Sequence, residues 1–181
     1  SPSKVLEIGS GNGINLCLFS SYFEEINFTG IDISLKGVEN SIKLKNKILD
    51  ESFFLGWPLP LKNKKPGKIS FEKCNATKLN FNNQEFDFVY SILALEQMDD
   101  IKDKVIKEMV RVSNKYVMLI EPFKEYNNSI LKFFHHNGSK YFSYTKKNLS
   151  DFNLKILEVF EDHPNKVTLG VCAILCEKVN K

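Results

Sequence analysis

Short apolar segments alternate with segments of helical periodicity along most of the chain. Apolar runs bounded by turn residues are typical of buried strands, and apolar residues three or four apart are typical of helices. The predicted strands cover residues 4–9, 27–33, 69–75, 86–95, 115–123, 154–162 and 171–179. The predicted helices cover residues 14–24, 99–112, 127–136 and 145–152, and a further helix, capped by Ser34, carries Val38, Ile42 and Leu49 on one side.

The order of these elements predicts an α/β fold. Strands that alternate with helices form a mostly parallel sheet covered by helices on both faces, which makes a three-layer sandwich. The last two predicted strands have no helix between them, so we expect an antiparallel hairpin at one edge of a seven-stranded sheet. The chain shows no internal repeat, and its length suits a single domain over residues 1–181.

A long segment between the second helix and the third strand is predicted to be a loop. Residues 57–68 contain several prolines, which interrupt helices and strands. The lysine-rich part, Lys62–Lys68, has two interpretations: it covers a site and attracts an anionic substrate, or it is a solvated surface loop.

The charge pattern gives only weak support for a nucleic-acid partner. The formal net charge is +3, and Arg111 is the only arginine. Proteins that bind nucleic acid are expected to use arginines for bidentate contacts. We therefore attribute the basic charge to a bias of the composition toward lysine.

Cysteine usage and hydropathy predict a cytoplasmic protein. Cys17, Cys74, Cys172 and Cys176 have no spacing typical of a zinc site, so we interpret them as buried reduced thiols and expect no metal. No apolar run approaches the length of a membrane span, so we expect no membrane partner, and no signal peptide is visible at the first residues.

Three glycines at alternate positions follow the first predicted strand. Gly9, Gly11 and Gly13 form a G-x-G-x-G pattern, whereas a dinucleotide site has G-x-G-x-x-G, and Ile14 stands where its last glycine belongs. A phosphate-binding P-loop requires Gly-Lys-Ser/Thr, which is absent. Asp32 ends the second strand, where a carboxylate either accepts hydrogen bonds from both ribose hydroxyls or caps a helix. The ligand class that remains contains a ribose and an adenine but no pyrophosphate.

Four segments then carry a resemblance to a known family. The segments VLEIGSGNG, GIDIS, CNATKLNFNNQEFDFVYS and EPF occur in the order and spacing of class I S-adenosylmethionine-dependent methyltransferases. The chain is most similar to their type-11-like, small-molecule branch, from Val5 to about Phe123. The resemblance implies a Rossmann-like sheet, with S-adenosylmethionine as the cofactor and S-adenosylhomocysteine as its product.

The resemblance also implies a set of cofactor-binding residues, namely Glu7, Gly9, Gly11, Gly13, Asp32, Ile33, Asn75, Ala76 and Ser91. The glycines and Glu7 frame the methionine end of the cofactor. Asp32 binds the ribose, and Ile33 packs on one face of the adenine. Asn75 and Ala76 meet the adenine edge, and Ser91 presents its backbone to the methionine ammonium.

Two departures from the family pattern concern binding and catalysis. Asn75 stands where the family usually has Asp, and an amide can still accept from the adenine amino group and donate to a ring nitrogen. Gln97 stands where many relatives carry His, so a common polar contact or base is missing. The remaining candidates for a general base are His135, His136 and Glu121, and Glu121 has the alternative role of bonding a nearby loop.

Aromatic residues also cluster after the fifth predicted strand. Tyr126, Tyr141, Phe142 and Tyr144 either wall a pocket for an apolar or cationic substrate or belong to the core.

These observations predict a methyltransferase that acts on an oxygen or nitrogen of a small metabolite by in-line displacement. Two alternatives stay open: a subunit that binds the cofactor without turnover, and an RNA or protein methyltransferase. An Asp/Asn-Pro-Pro-aromatic motif, typical of enzymes that methylate exocyclic base nitrogens, is replaced by SILALEQ, which disfavours a nucleic-acid substrate. Relatives usually carry substrate-covering helices before the first strand, so we expect the native chain to extend at its amino end or the site to be open.

Overall fold

The structure, a computed structural model, describes residues 2–46, 67–127, 142–161 and 170–179. The strands are β1 Lys4–Ile8, β2 Asn27–Asp32, β3 Ile69–Lys73, β4 Phe86–Ile92, β5 Ser113–Glu121, β6 Leu154–Phe160 and β7 Cys172–Lys178. The α-helices of the described part are α1 Ile14–Tyr22, α2 Leu35–Lys45 and α3 Lys102–Val112, and short 3₁₀ helices cover Leu95–Met98, Lys124–Tyr126 and Lys146–Phe152. The strands form one sheet in the order β3-β2-β1-β4-β5-β7-β6.

The chain divides into two compact units, Ser1–Ala76 and Thr77–Lys181. In the first unit β1, β2 and β3 pair in parallel, with Lys4 opposite Asn27 and Phe28 opposite Ile69. Strand β1 is buried from Val5 to Ile8, as expected for a strand covered on both faces. Parallel pairing places the carboxyl ends of these three strands at one edge of the sheet.

Helices α1 and α2 both bury serine residues. Two serines of α1, Ser20 and Ser21, are fully buried, and their hydroxyls donate to backbone carbonyls three residues earlier. Helix α2 begins after Ser34, whose Oγ accepts a hydrogen bond from Gly37 N at 3.1 Å, which confirms the predicted cap. The predicted apolar stripe of α2 was wrong at Ile42, which is exposed, because the buried position is Ser41.

In the second unit β4 and β5 pair in parallel, and β7 pairs antiparallel with both β5 and β6. The predicted α/β fold, with a mostly parallel seven-stranded sheet and an antiparallel pair at one edge, is confirmed. Strand β7 lies between β5 and β6, so β6 is the edge strand. The prediction of one domain over residues 1–181 stays a prediction.

The end of β4 lies earlier than the sequence predicts. The predicted strand continues to residue 95, but β4 ends at Ile92 and Leu93 has a positive φ of 50°. The next three backbone N–H groups, at 94–96, donate to the Glu121 carboxylate. These bonds replace sheet pairing, so the apolar character of the segment does not extend the strand.

Other predicted bounds are also corrected. Helix α3 begins at Lys102, three residues after the predicted start, and β5 covers Ser113–Glu121 rather than 115–123. Residues 146–152 form a 3₁₀ helix whose start is closed by reciprocal bonds between Thr145 and Asn148. Several predicted features lie outside the described residues, namely Leu49, most of the loop 57–68 and residues 128–136 of the helix 127–136.

The only arginine of the chain fastens α3 to the segment before β4. The Arg111 guanidinium makes a bidentate pair with Glu108, with N–O distances of 2.7 and 2.8 Å. The same group donates to the carbonyls of Leu79 at 3.0 Å and Phe81 at 2.8 Å, and to Asn83 Oδ1 at 3.0 Å. A lysine has no planar fork for this set of acceptors, which gives a structural reason for an arginine here.

Candidate cofactor-binding and active site

The turn between β1 and α1 is built on the three alternate glycines. Gly9, Gly11 and Gly13 have φ values of 73°, 53° and 74°, a region that residues with a Cβ seldom adopt. The N–H groups of Gly9 and Ser10 both donate to the carbonyl of Ile31 at 2.9 Å. The turn is therefore held against the carboxyl end of β2.

Two of these glycines differ in the space around them. A Cβ on Gly13 would lie 2.6 Å from the ring of Phe71 and 2.8 Å from Ser41 Cβ, so close packing excludes a side chain there. A Cβ on Gly11 would meet no atom within 4 Å. Because packing does not explain Gly11, the open space beside it fits a ligand that approaches the backbone closely.

Asp32 lies at the end of β2 and is held by the glycine turn. Its Oδ2 accepts a hydrogen bond from Gly11 N at 2.9 Å, and its Oδ1 accepts one from Ser34 N at 2.8 Å. Each carboxylate oxygen can accept a further hydrogen bond. The carboxylate is therefore fixed in place and can still accept from two ribose hydroxyls.

Glu7 and Ile33 are the other predicted cofactor residues around this turn. Glu7, on β1, is 1% exposed, and its Oε1 accepts a hydrogen bond from Asn15 Nδ2 at 3.1 Å. Ile33 follows Asp32 and is 63% exposed. An exposed apolar surface beside a fixed carboxylate suits a flat ring joined to a ribose.

Asn75 and Ala76 follow β3 at the same edge of the first unit. Asn75 is exposed, and Ala76 is buried. The N–H of the preceding residue, Cys74, donates to the carbonyl of Asp32 at 3.0 Å. The structure thus brings the predicted residues after β1, β2 and β3 to one edge of the sheet in the first unit.

Ser91 and Glu121 lie at the ends of β4 and β5 in the second unit, and both are fully buried. The Ser91 hydroxyl donates to Glu121 Oε1 at 2.9 Å. The same Oε1 accepts from Ala94 N at 3.2 Å and Leu95 N at 3.1 Å, and Oε2 accepts from Glu96 N at 3.3 Å. Glu121 therefore bonds the turn after β4 and engages the Ser91 hydroxyl. The predicted contact of the Ser91 backbone with the methionine ammonium stays a prediction.

The environment of Glu121 opposes ionisation. Burial raises the pKa of its carboxyl to about 7, although the bonds from Leu95, Ser91 and Ala94 act in the opposite direction. Its four donors already occupy the carboxylate, so the geometry supports the loop-bonding alternative. The role of Glu121 as a general base stays a prediction.

Comparison with known proteins now decides the family. A family model described as a methyltransferase domain matches residues 6–120. The chain belongs to the class I S-adenosylmethionine-dependent methyltransferases. This confirms the predicted family and its cofactor.

Solved structures share the fold of this methyltransferase. An S-adenosylmethionine-dependent methyltransferase from Methanosarcina mazei is 20% identical, with a TM-score of 0.73 over 98% of this chain and 93% of that chain. A methyltransferase from Haloferax volcanii, in complex with the Trm112 activator, is 15% identical, with a TM-score of 0.69 over 98% and 83%. The [4+2]-cyclase SpnF is 15% identical, with a TM-score of 0.69 over 97% and 74%. These likenesses show the Rossmann-like fold.

The aromatic residues after β5 are engaged within the methyltransferase. The ring of Phe142 is buried and lies 5.0 Å from the ring of Phe123 and 5.4 Å from that of Tyr144. The ammonium of Lys102 lies 5.0 Å from the centre of the Tyr144 ring. Core packing therefore accounts for Phe142. Tyr144 is half-buried and contacts Phe142 and Lys102, so its place in a pocket wall or in the core stays a prediction.

Tyr126 lies in a separate polar group at the end of the sheet. Its hydroxyl contacts Glu161, and Lys146 Nζ donates to it at 3.0 Å and lies 5.3 Å from the ring centre. Tyr126 is thus also engaged by a lysine of the chain itself. Tyr141 lies outside the described residues.

The histidine candidates are not described by the structure. His135, His136 and the lysine-rich segment up to residue 66 lie outside the described residues. Within the described ranges, no group of three or more His, Cys, Asp or Glu side chains is placed to hold a metal ion. The four cysteines are free and buried, as predicted.

Sequence reasoning did not single out Glu96, which lies next to Gln97 in the turn after β4. Its Oε2 is buried and has no hydrogen-bond partner among the described residues. Burial raises the pKa of its carboxyl. The available signal was a charged residue within the otherwise apolar SILALEQM segment.

Proposed function

We propose that the chain transfers a methyl group from S-adenosylmethionine to an oxygen or nitrogen of a small metabolite by in-line displacement. The observation that carries this proposal is the open space beside Gly11, next to the fixed carboxylate of Asp32. That arrangement suits a ribose and an amino-acid group and offers no lysine-containing phosphate loop.

The residues of the first unit divide the binding between them. The Gly11 backbone and the negative charge of Glu7 suit the methionine end, and Asp32 accepts from the ribose hydroxyls. Ile33 covers one adenine face, and the exposed Asn75 amide matches the adenine edge. When bound, S-adenosylmethionine supplies a methyl group activated by a positively charged sulfur.

Such a site must also orient the methyl acceptor in line with the methyl group of the cofactor. Holding two reactants in line is worth roughly 7–11 kcal/mol over a bimolecular encounter, so a strong catalytic side chain is not required. The rigid turn after β4, bonded by Glu121, is suited to fixing a group at the carboxyl edge of the second unit.

Two alternative functions keep specific support. Gln97 in place of His, and the engagement of Glu121 by four donors of the chain itself, favour a subunit that binds the cofactor without turnover. SpnF, a cyclase, shares the fold. The Haloferax volcanii relative is in complex with the Trm112 methyltransferase activator, which favours an enzyme that acts together with an activator partner. Against a nucleic-acid substrate, the only arginine is engaged inside the second unit.

We also propose that the protein works in the cytoplasm as a single domain over residues 1–181. Four free buried cysteines support a reducing compartment. In the part of the chain that the structure describes, no helix has the length and apolar character to cross a bilayer.

Titration calorimetry of the full chain with S-adenosylhomocysteine and with NADH tests the cofactor assignment. We expect micromolar binding of the first and none of the second. Asp32→Ala should weaken the binding by about tenfold or more, because hydrogen bonds to a charged group are lost. Asp151→Ala, which removes an exposed carboxylate of the second unit, is the control. Unchanged binding by Asp32→Ala overturns the ribose assignment, and binding of NADH alone overturns the proposed function.

A further inference from the structure

The turn after β4 holds the backbone of Glu96 in one position. Its N–H donates to Glu121 Oε2, and the preceding residue, Leu95, is fully buried. Leu93 enters the turn with a positive φ, a conformation that persists only where surrounding contacts maintain it. The side chain of Glu96 therefore starts from a rigid backbone.

One oxygen of the Glu96 carboxylate, Oε2, accepts no hydrogen bond from the described residues. Its Oε2 is shielded from solvent and has no hydrogen-bond partner among the described residues. Buried polar atoms are nearly always paired, and a buried carboxylate oxygen without a donor lowers stability. Burial is the cause of the raised pKa of this carboxyl. The residues that the structure describes give no reason for this arrangement.

The carboxylates of Glu96, in this turn, and of Glu121, at the end of β5, differ in their hydrogen bonding. Glu121 accepts from one hydroxyl and three backbone N–H groups, whereas Oε2 of the half-buried Glu96 is shielded and has no donor among the described residues. The turn lies at the carboxyl ends of the parallel strands β4 and β5, and ligands of open α/β sheets bind at such an edge. A ligand that binds at this edge would be a source of the donor that the described residues do not supply.

We propose that Oε2 of Glu96 accepts a hydrogen bond, and then the proton, from the N–H or O–H group of the methyl acceptor. This inference rests on the proposed function and adds a catalytic residue to it. The acceptor gains one methyl group and loses one proton, and that proton passes to the Glu96 carboxylate. The loss of the carboxylate charge balances the loss of the positive charge of the methyl donor.

A titration of the Glu96 carboxyl tests the inference without a known acceptor. The full chain is labelled with ¹³C-glutamate, saturated with S-adenosylhomocysteine and followed by NMR from acid to neutral pH, and E96Q assigns the signal. Because burial raises the pKa of this carboxyl, we expect its midpoint to lie above that of an ordinary glutamate. E158Q, an exposed control on β6, should leave the Glu96 signal unchanged. A Glu96 midpoint in the ordinary range overturns the proposal.

Methyl transfer to a set of named probes is the second readout. The set contains ethanolamine, sarcosine, putrescine and catechol, with radiolabelled S-adenosylmethionine as donor. For any probe that is methylated, E96Q should lower the rate by about 10²–10⁴-fold and remove the acid limb of the pH profile. Its affinity for S-adenosylhomocysteine should stay unchanged.

The outcomes separate this inference from the proposed function. Failure of the wild-type chain to bind S-adenosylhomocysteine contradicts the proposed function itself. Binding together with an ordinary Glu96 midpoint, or with full activity of E96Q, contradicts the role of Glu96 only. If no probe is methylated, the midpoint decides.

Discussion

Gly11 and Gly13 lie in one turn and both have positive φ values, but their surroundings differ. Gly13 excludes a side chain because Phe71 and Ser41 occupy the space, whereas Gly11 faces open space. Packing therefore requires a glycine at position 13 for folding, whereas at position 11 we expect the glycine to serve ligand binding. Two matched substitutions separate these requirements.

Gly11→Ala should fold but bind the cofactor poorly. The left-handed backbone costs alanine about 1–2 kcal/mol of unfolding free energy, and its methyl group enters the space assigned to the ligand. Gly13→Ala adds a clash with Phe71 to the same strain, so a loss of roughly 2–5 kcal/mol is expected. Urea unfolding measures stability, and calorimetry with S-adenosylhomocysteine measures binding. If Gly11→Ala bound S-adenosylhomocysteine with wild-type affinity, the ligand would not occupy the space beside Gly11.

Single residues were predictable from the sequence where they end a strand. Asp32 and the glycines stand at fixed positions after apolar runs, so topology alone places them at one edge of the first unit. Glu96 was not predictable in this way, because its open oxygen depends on the turn that Glu121 imposes. That turn is held by hydrogen bonds to Glu121, which is distant in the sequence, so no local sequence pattern indicates it.

At the scale of elements, Arg111 connects α3 to the segment before β4. Arg111→Lys keeps the charge but loses the planar fork, and with it the bonds to Leu79 and Phe81. We expect the free energy of unfolding to fall by about 1–3 kcal/mol in urea titrations. Lys107→Ala, at an exposed position on the same helix, should change it little. Equal stability of Arg111→Lys and wild type would mean that a point charge is sufficient.

The bounds of elements were predictable only where a local signal marks them. The Ser34 cap fixes the start of α2, and it was read from the sequence. The end of β4 has no such signal, because the apolar run continues through Leu95. There, the tertiary bonds to Glu121 outweigh local strand propensity.

At the scale of the whole molecule, alternation of strands and helices was sufficient to predict the sheet. The parallel pairs β1–β2, β2–β3 and β4–β5 follow from strands joined through helices or long connections, and the missing last helix indicated the antiparallel pair. The position of β7 between β5 and β6 was not predictable, since periodicity gives the type of a strand and not its neighbours.

The stability of the whole molecule should depend on pH through its buried carboxyls. The pKa of Glu121 is raised from 4.5 to about 7, so between these values the folded state binds a proton that the unfolded state has lost. Stability should therefore fall as pH rises from about 4.5 to about 7, by on the order of 3 kcal/mol from this group. Glu96, whose pKa is also raised, acts in the same direction.

Urea unfolding at pH values from 5 to 8 tests this dependence, with Glu121→Gln as the matched variant. The variant should be less stable than wild type at pH 5, because one amide oxygen cannot accept all four donors, and its curve should be flatter. Glu108 does not mimic the effect: its pKa is lowered by the bond from Arg111, so its contribution is lost only as pH falls below the ordinary glutamate range. If the unfolding free energy of wild type and of Glu121→Gln had the same dependence on pH, that dependence would come from other groups. Glu121 would then be ionised over the whole range.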